Sequence, residues 1–273
     1  MVRQTKSKGK MKVLGIDIGG SALKGAIVDT ETGRLCGERY RIDTPKVQTP
    51  SEAMDAVRAI ALNYRWSGLI GIGFPGAIIR GRVAFLGNLS AAWTGRSVTN
   101  CLSDVTGCQV TVVNDADAAG IAEMRFGAGR GVQGTVLILT AGTGIGSALF
   151  RDGHYVPNLE LGQVEMRGKP AEKFAAAAVR RQCNLTWAQW AKRFNSYLST
   201  IENIVWPDLI IVGGGISKEH KNWFRYLKIR SRIVPAKMHN DAGIVGAALA
   251  ATFRGGEKNG YEKRRIRQRR LLR

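Results

Sequence analysis

The chain has 273 residues, a length that suits one large or two ordinary domains, and its 44% hydrophobic and 23% charged content excludes a disordered chain. It has no run of about 18 apolar residues for a membrane span, and its 4 cysteines and 3 histidines lack CxxC or finger spacing, which indicates reduced thiols and no zinc centre. Charge is the unusual quantity: 41 Lys+Arg against 21 Asp+Glu give a formal +20.

Residues 1–12 hold five basic and no acidic residues, and residues 254–273 hold nine basic and two acidic. The tails therefore carry +12 and residues 13–253 carry +8. Such a balance implies a polyanionic partner, whether nucleic acid, nucleotide or phosphate polymer, and charge alone does not choose among them. The basic N-terminus runs into an apolar stretch without a small-residue cleavage site, so no secretory leader is expected.

Residues 12–20 (KVLGIDIGG) form an apolar run ending in Asp and a glycine pair, a buried strand entering a tight turn. A strand, a turn at Thr32-Gly33 and a strand over 39–42 follow as two successive hairpins. Ser51, then Glu52 and apolar residues at 53, 54, 57, 60 and 61, predicts a capped amphipathic helix. Residues 69–74 predict a strand leading into Pro75-Gly76. Residues 110–113 predict another, ending at Asn114-Asp115 before a helix over 116–126. The run 135–139 repeats the opening theme, with a glycine-rich turn at 140–146 and a strand to 150. Two helices are predicted over 170–183 and 185–205, the second started by Thr186 and stopped before Pro207. A strand over 209–212 enters Gly213-Gly214-Gly215, Ser217 stands to cap the next helix, and a Gly/Ala-rich helix covers 241–253. Alternating strands and helices make this an α/β chain. The likeness of 13–29 to 135–150 predicts a duplicated architecture.

Three glycine-rich turns follow apolar strands: Gly19-Gly20-Ser21, Gly142-Thr143-Gly144-Ile145-Gly146 and Gly213-Gly214-Gly215. Glycine lets backbone N–H groups approach a phosphate without an intervening Cβ, and Thr140 and Thr143 add hydroxyl donors. None is a GxxxxGK[ST] sequence. Asp115, between a strand and a helix, stands where α/β sheets bind ligands and is the candidate base. Its spacing serves equally for a helix cap. Asp17, beside the first glycine turn, suits a carboxylate holding hydrated Mg²⁺ near phosphates, or a simple turn Asp.

The motifs Asp17-Ile18-Gly19-Gly20-Ser21, Gly73-Phe74-Pro75-Gly76, Asn114-Asp115-Ala116-Asp117-Ala118-Ala119-Gly120, 140–146, Glu160-Leu161-Gly162 and Val212-Gly213-Gly214-Gly215 occur in order. Together they resemble the ROK family of sugar kinases over residues 13–251. Within that family the chain is most similar to the polyphosphate-using glucokinases and polyphosphate/ATP glucomannokinases. The resemblance implies the two-lobed actin-like ATPase (ribonuclease H-like) fold of hexokinases, with lobes over 13–134 and 135–253 and a sugar cleft between them. It implies that Asp115 is the general base toward the sugar 6-hydroxyl. Asn88, Asn114, Glu160 and Glu172 would bind sugar hydroxyls, and Asp17 would lie near Mg²⁺. Gly19, Gly20, Ser21, Gly142, Thr143 and Gly144 would handle phosphate, with Gly213, Gly214 and Gly215 on the adenosine side.

Two features depart from the family pattern. Gln163 stands where the family usually has His, so it can hydrogen-bond a sugar but cannot carry charge. The segment 164–178 lacks the family's cysteine-rich zinc loop, so no structural zinc is expected. With about 12 residues before the first strand, no helix-turn-helix domain is expected either. The implied activity is cytoplasmic transfer of phosphate from polyphosphate or ATP to glucose, with mannose as a further acceptor and a homodimer as the family's habit. Lys24 would be the inner member of a cationic polyphosphate track, and 264–273 either a second anchor or, as basic tails more often are, a plain solubility feature. The alternatives are a strictly ATP-dependent glucokinase or other hexose kinase, and a nucleic-acid-binding protein using the basic tails non-specifically. No RNP, helix-turn-helix or zinc-finger pattern supports the last.

Overall fold

The computed structural model describes residues 11–20, 22–43, 49–86 and 90–253. The basic tails up to residue 10 and from 254, together with Ser21 and Asn88, lie outside the described residues. No helix among those described is long and apolar enough to cross a membrane.

Strands β1 (Lys12–Ile18) and β2 (Ala22–Asp29) form an antiparallel hairpin, and β3 (Arg34–Leu35) and β4 (Tyr40–Asp43) both pair with β2. Helix α1 (Pro50–Asn63) leads to β5 (Ile70–Phe74), parallel to β1. A second hairpin, β6 (Gly76–Ile79) and β7 (Arg82–Leu86), then precedes α2 (Val98–Thr106). Strand β8 (Val110–Asn114) is parallel to β5 and runs directly into α3 (Asp115–Phe126). The second half opens with the antiparallel strands β9 (Thr135–Ala141), β10 (Ile145–Arg151) and β11 (His154–Val156). It continues through the small pair β12 (Glu165–Met166) and β13 (Lys169–Pro170) to α4 (Glu172–Ala175), α5 (Ala177–Gln182) and α6 (Trp187–Val205). Strand β14 (Leu209–Gly213) joins β9 in parallel, and α7 (His220–Trp223), β15 (Arg232–Pro235) and α8 (Ala242–Ala250) complete the chain.

The duplication is borne out in the sheet order. The first sheet runs β3-β2-β1-β5-β8 and the second β11-β10-β9-β14-β15. In both, the central strand is antiparallel to its hairpin partner and parallel to the strand that returns through helices. Central strands are apolar on both faces, as sheets covered on both sides require. Leu14, Ile16 and Ile18 join the core beneath α1 and α2, while Val13 faces the core between the sheets. Strand β9 divides the same way, with Leu137 and Leu139 outward and Val136 and Ile138 inward.

Between the sheets lie α3 and α8, exchanged between halves: α8 packs on β1 and β5, and α3 on β10. Their sequences, DADAAGIAEMRF and AGIVGAALA, are short in side chain for a steric reason. A methyl group on Gly246 would lie 1.6 Å from the Ala118 carbonyl oxygen of α3. One on Gly71 would lie 1.8 Å from the Ala247 carbonyl, and one on Gly15 2.1 Å from that of Ile244.

Several boundaries differ from the sequence reading. Helix α1 is capped by Thr49, not Ser51, because Thr49 and Glu52 form a capping box in which the Glu52 carboxylate accepts the Thr49 N–H at 2.8 Å. The helix predicted over 170–183 breaks at Ala176 (φ −61°, ψ 156°). The Trp190 indole N–H donates to the freed carbonyls of Ala175 and Ala176, each at 3.1 Å. Ser217 caps no helix; it sits buried in a one-turn helix with its hydroxyl on the Gly214 carbonyl at 2.8 Å. Thr186 caps α6 as expected, in a capping box with Gln189.

Because the obstructing atoms at Gly71 and Gly246 are backbone carbonyls, Gly71→Ala and Gly246→Ala should each cost about 3 kcal/mol or more. Gly215→Ala, with open space around it, should stay within about 0.5 kcal/mol. Denaturant melts of the three variants would measure this, and equal midpoints would refute the packing argument.

Candidate active site

Alternation along the central strands brings the site together. On β1, residues 13, 15 and 17 face inward, which puts Asp17 at the strand's inner C-terminal end beside Gly243 of α8. On β9 the same parity takes 136 and 138 inward and delivers Thr140, which pairs in register with Gly213 of β14. Asp17, Lys24, Asp115, Thr140, Gly213, Gly214 and Gly243 line one cleft, with Glu123 and Asn240 at its sides. A larger cavity of about 490 Å³ near α1 and α2, lined by Arg58, Arg65 and Trp66 among others, contains none of the expected site residues.

Asp115 is not the helix cap. Asn114 is: its Oδ1 accepts the N–H groups of Ala116 at 2.8 Å and Asp117 at 3.1 Å. That leaves Asp115 as the first helical residue, its carboxylate touching only the Ala116 N–H at 2.7 Å among the described residues. Burial chiefly, then the nearby Asp17 charge, pushes its pKa up to about 7, with Glu160 and Asp117 adding to the rise against the Ala116 bond. Asp17 is itself raised by burial, offset by Lys24, its cross-strand partner in the hairpin register.

A second group gathers around Glu160. The Asn114 amide donates to Glu160 Oε1 at 3.3 Å and to the Gly76 carbonyl at 3.2 Å. Burial, then the charges of Asp117 and Glu172, pushes Glu160 up to about 7. Glu172 approaches the second glycine turn so closely that a methyl on Gly144 would fall 2.3 Å from its Oε2. The Gln163 side chain makes no hydrogen bond among the described residues; its backbone N–H donates to the Glu160 carbonyl at 3.0 Å.

The glycine turns are only partly open. The Gly19 N–H already donates to the Ala22 carbonyl at 3.1 Å, and the Gly142 N–H to Gly144 at 3.0 Å. The Glu172 carboxylate lies against Gly144, and at 214 glycine serves a left-handed φ of 81°. Gly20 and Thr143 are exposed, and a methyl on Gly20 would meet nothing within 4 Å. Among the described residues no three His, Cys, Asp or Glu side chains form a metal cage. A half-buried Asp17 lining an open cleft instead fits Mg²⁺, which is commonly held by one or two carboxylates, water and substrate phosphates.

Sequence reasoning missed four site residues. Asp117 is fully buried and binds Tyr155 and Asn158. Glu123 accepts the N–H groups of Ala128, Lys237 and Met238 at 2.8, 2.8 and 2.6 Å, pinning the approach to α8 against α3. Its spacing of four and eight residues from 119 and 115 was the available signal.

A family model described as "ROK family" matches residues 13–158. The chain is 44% identical over 238 residues to the polyphosphate glucokinase of Mycobacterium tuberculosis, covering 87% of this chain and 90% of that one. It is similar to the crystal structure of the inorganic polyphosphate/ATP-glucomannokinase of Arthrobacter sp. strain KM, with a TM-score of 0.85 and 43% identity across 88% and 98% of the two chains. A ROK family glucokinase from Streptomyces griseus, 23% identical, shares the fold at a TM-score of 0.75 across 87% of this chain and 98% of that one.

A carboxyl whose pKa is raised by folding binds its proton more tightly in the native chain. That stability is full at low pH and is lost as pH climbs from the ordinary carboxylate value through about 7. Asp115→Asn, which cannot ionise, should therefore melt a few degrees above the wild type near pH 8, with the gap closing below about pH 5. Paired melting curves across that range would test it; a gap independent of pH would contradict the raised pKa of Asp115.

Proposed function

The chain belongs to the ROK family, and from that premise we propose that it is a polyphosphate glucokinase, transferring a phosphoryl group from inorganic polyphosphate, and from ATP, to the 6-hydroxyl of glucose. One observation carries the reading: Asp115 stands at the start of α3 between the Asn114–Glu160 pair and the cleft of Asp17, Lys24 and Thr140. A sugar hydroxyl attacking a phosphoryl group needs positioning, charge neutralisation and a proton acceptor, and little covalent help. Asp115, with its pKa near 7, takes the proton as the hydroxyl oxygen bonds to the terminal phosphorus. The bond to the bridging oxygen breaks, leaving glucose 6-phosphate and a donor one phosphate shorter.

In this reading Asn114 and Glu160 hold the sugar, joined by Glu172 and Asn88, while Gln163 offers a neutral hydrogen bond. Thr140, Thr143 and the turns at 19–21, 142–144 and 213–215 hold the donor, with Lys24 facing its charge. Mg²⁺, when bound through water at Asp17, supplies charge neutralisation. The reading carries a cytoplasmic location and a homodimer with it. The overall basic charge favours a polyanionic donor, because displacing counterions from a phosphate polymer strengthens binding at low salt.

Glucose and mannose should be assayed with polyphosphate and ATP as separate donors. The expected result is glucose 6-phosphate from both, with a polyphosphate KM that rises steeply with salt and an ATP KM that changes little. No turnover with polyphosphate at any salt concentration would instead make the protein an ATP-dependent hexose kinase. Asp115→Asn should lower kcat by about 10²–10⁴-fold while glucose still binds. A variant that keeps most of its turnover would remove Asp115 from the mechanism.

A further inference from the structure

Asp117 lies two residues beyond Asp115 and is 0% exposed, so it touches no substrate. Its carboxylate is nonetheless the anchor of the segment that carries Glu160. Oδ2 accepts the Tyr155 hydroxyl from β11 and the Asn158 N–H at 3.0 Å, while Oδ1 is enclosed without a hydrogen-bond partner among the described residues. Asn158 stands at φ 61°, a left-handed conformation that Asn tolerates better than most residues. There its amide donates to the Ile78 carbonyl at 2.9 Å and accepts the Ile78 N–H at 2.8 Å. This two-way exchange mimics a hydrogen-bonded pair of an antiparallel ladder. It fastens the loop to β6, whose first residue, Gly76, is already held by Asn114.

On the other side of Glu160, the Ser147 hydroxyl donates to the Leu159 carbonyl at 2.5 Å and accepts the Leu161 N–H at 2.9 Å. Glu160 is thus bracketed through its backbone neighbours. Its own carboxylate receives a single hydrogen bond, the 3.3 Å contact from Asn114, among the described residues.

We infer that Asp117 is a positioning residue for Glu160, holding the 155–161 segment through Tyr155 and Asn158 so that the Glu160 carboxylate stays aimed at the sugar. The inference rests on the sugar-binding role proposed for Glu160. Because the cleft of Asp17, Thr140 and Gly213 includes no residue of this segment, the effect falls on the sugar and not on the donor.

The test is steady-state kinetics on the full chain with both substrates varied. Asp117→Ala should raise the glucose KM about tenfold and leave the donor KM within about twofold. Asp117→Asn, whose carbonyl oxygen still accepts both donors, should recover most of the loss. The double variant Asp117→Ala with Glu160→Ala should bind glucose no worse than Glu160→Ala alone, as expected when one residue acts through the other. A flat glucose KM, equal rises for glucose and donor, or additive effects would overturn the inference. Should Asp117→Ala fail to fold, Tyr155→Phe decides the matter: a several-fold rise in glucose KM supports the anchor, and no rise overturns it. A wild type inactive on glucose with every donor defeats the proposed function and this inference with it. An active wild type with no split between the two KM values defeats this inference alone.

Discussion

The contact on which the rest of the structure depends is backbone against backbone, where α8 lies on β1, β5 and α3 with no side chain between. Gly15, Gly71 and Gly246 give up their Cβ atoms to three carbonyl groups, those of Ile244, Ala247 and Ala118, and the helices gain an approach that larger residues forbid. This close packing does more than fill space. It brings Gly243 against the Asp17 carboxylate, and it sets the first turn of α3, with Asp115, beside the ends of the central strands. The Glu123 carboxylate, clasping the N–H groups of Lys237 and Met238, fixes the angle at which α8 enters.

The electrostatics set a local acidity inside a strongly basic chain. Asp17, Asp115, Asp117, Glu160 and Glu172 lie near enough for several to raise one another's pKa, yet the protein carries +20. The two facts serve different distances. The overall charge acts over a Debye length and draws in polyanions. The carboxylate cluster acts at contact, where burial and neighbouring charge raise Asp115 and Glu160 to about 7. Mutual repulsion is the standing cost in stability of concentrating those acids, a trade common at functional sites.

Much of this was legible in the sequence where a feature is local. The apolar runs at 13–18 and 135–141 are continuous because both sheet faces are covered, and their glycine turns follow directly, so the duplicated architecture could be read. Asp115 was singled out from its position between strand and helix, and it lines the cleft with Asp17, whereas the capping role of Asn114 was not anticipated. What escaped was non-local. The break at Ala176 depends on an indole N–H fourteen residues on. The importance of Asp117 depends on Tyr155 and Asn158, 38 and 41 residues away. The approach of the Glu172 carboxylate to Gly144 likewise joins residues 28 apart.

The exchange of α3 and α8 between the two sheets bears on how the chain is made. Synthesis proceeds from the N-terminus, and many proteins fold each half as it emerges. Here the inner face of the first sheet waits for Ile244 and Ala247, which belong to the last helix described. Val13, Ala26 and Val28 share their core with Ile244, Val245 and Ala248 of that helix, so this side of the sheet is completed only when the helix has been made. A chain ended short of α8 would lack the backbone surface that Gly15 and Gly71 are shaped to meet, and its first sheet would stay open there.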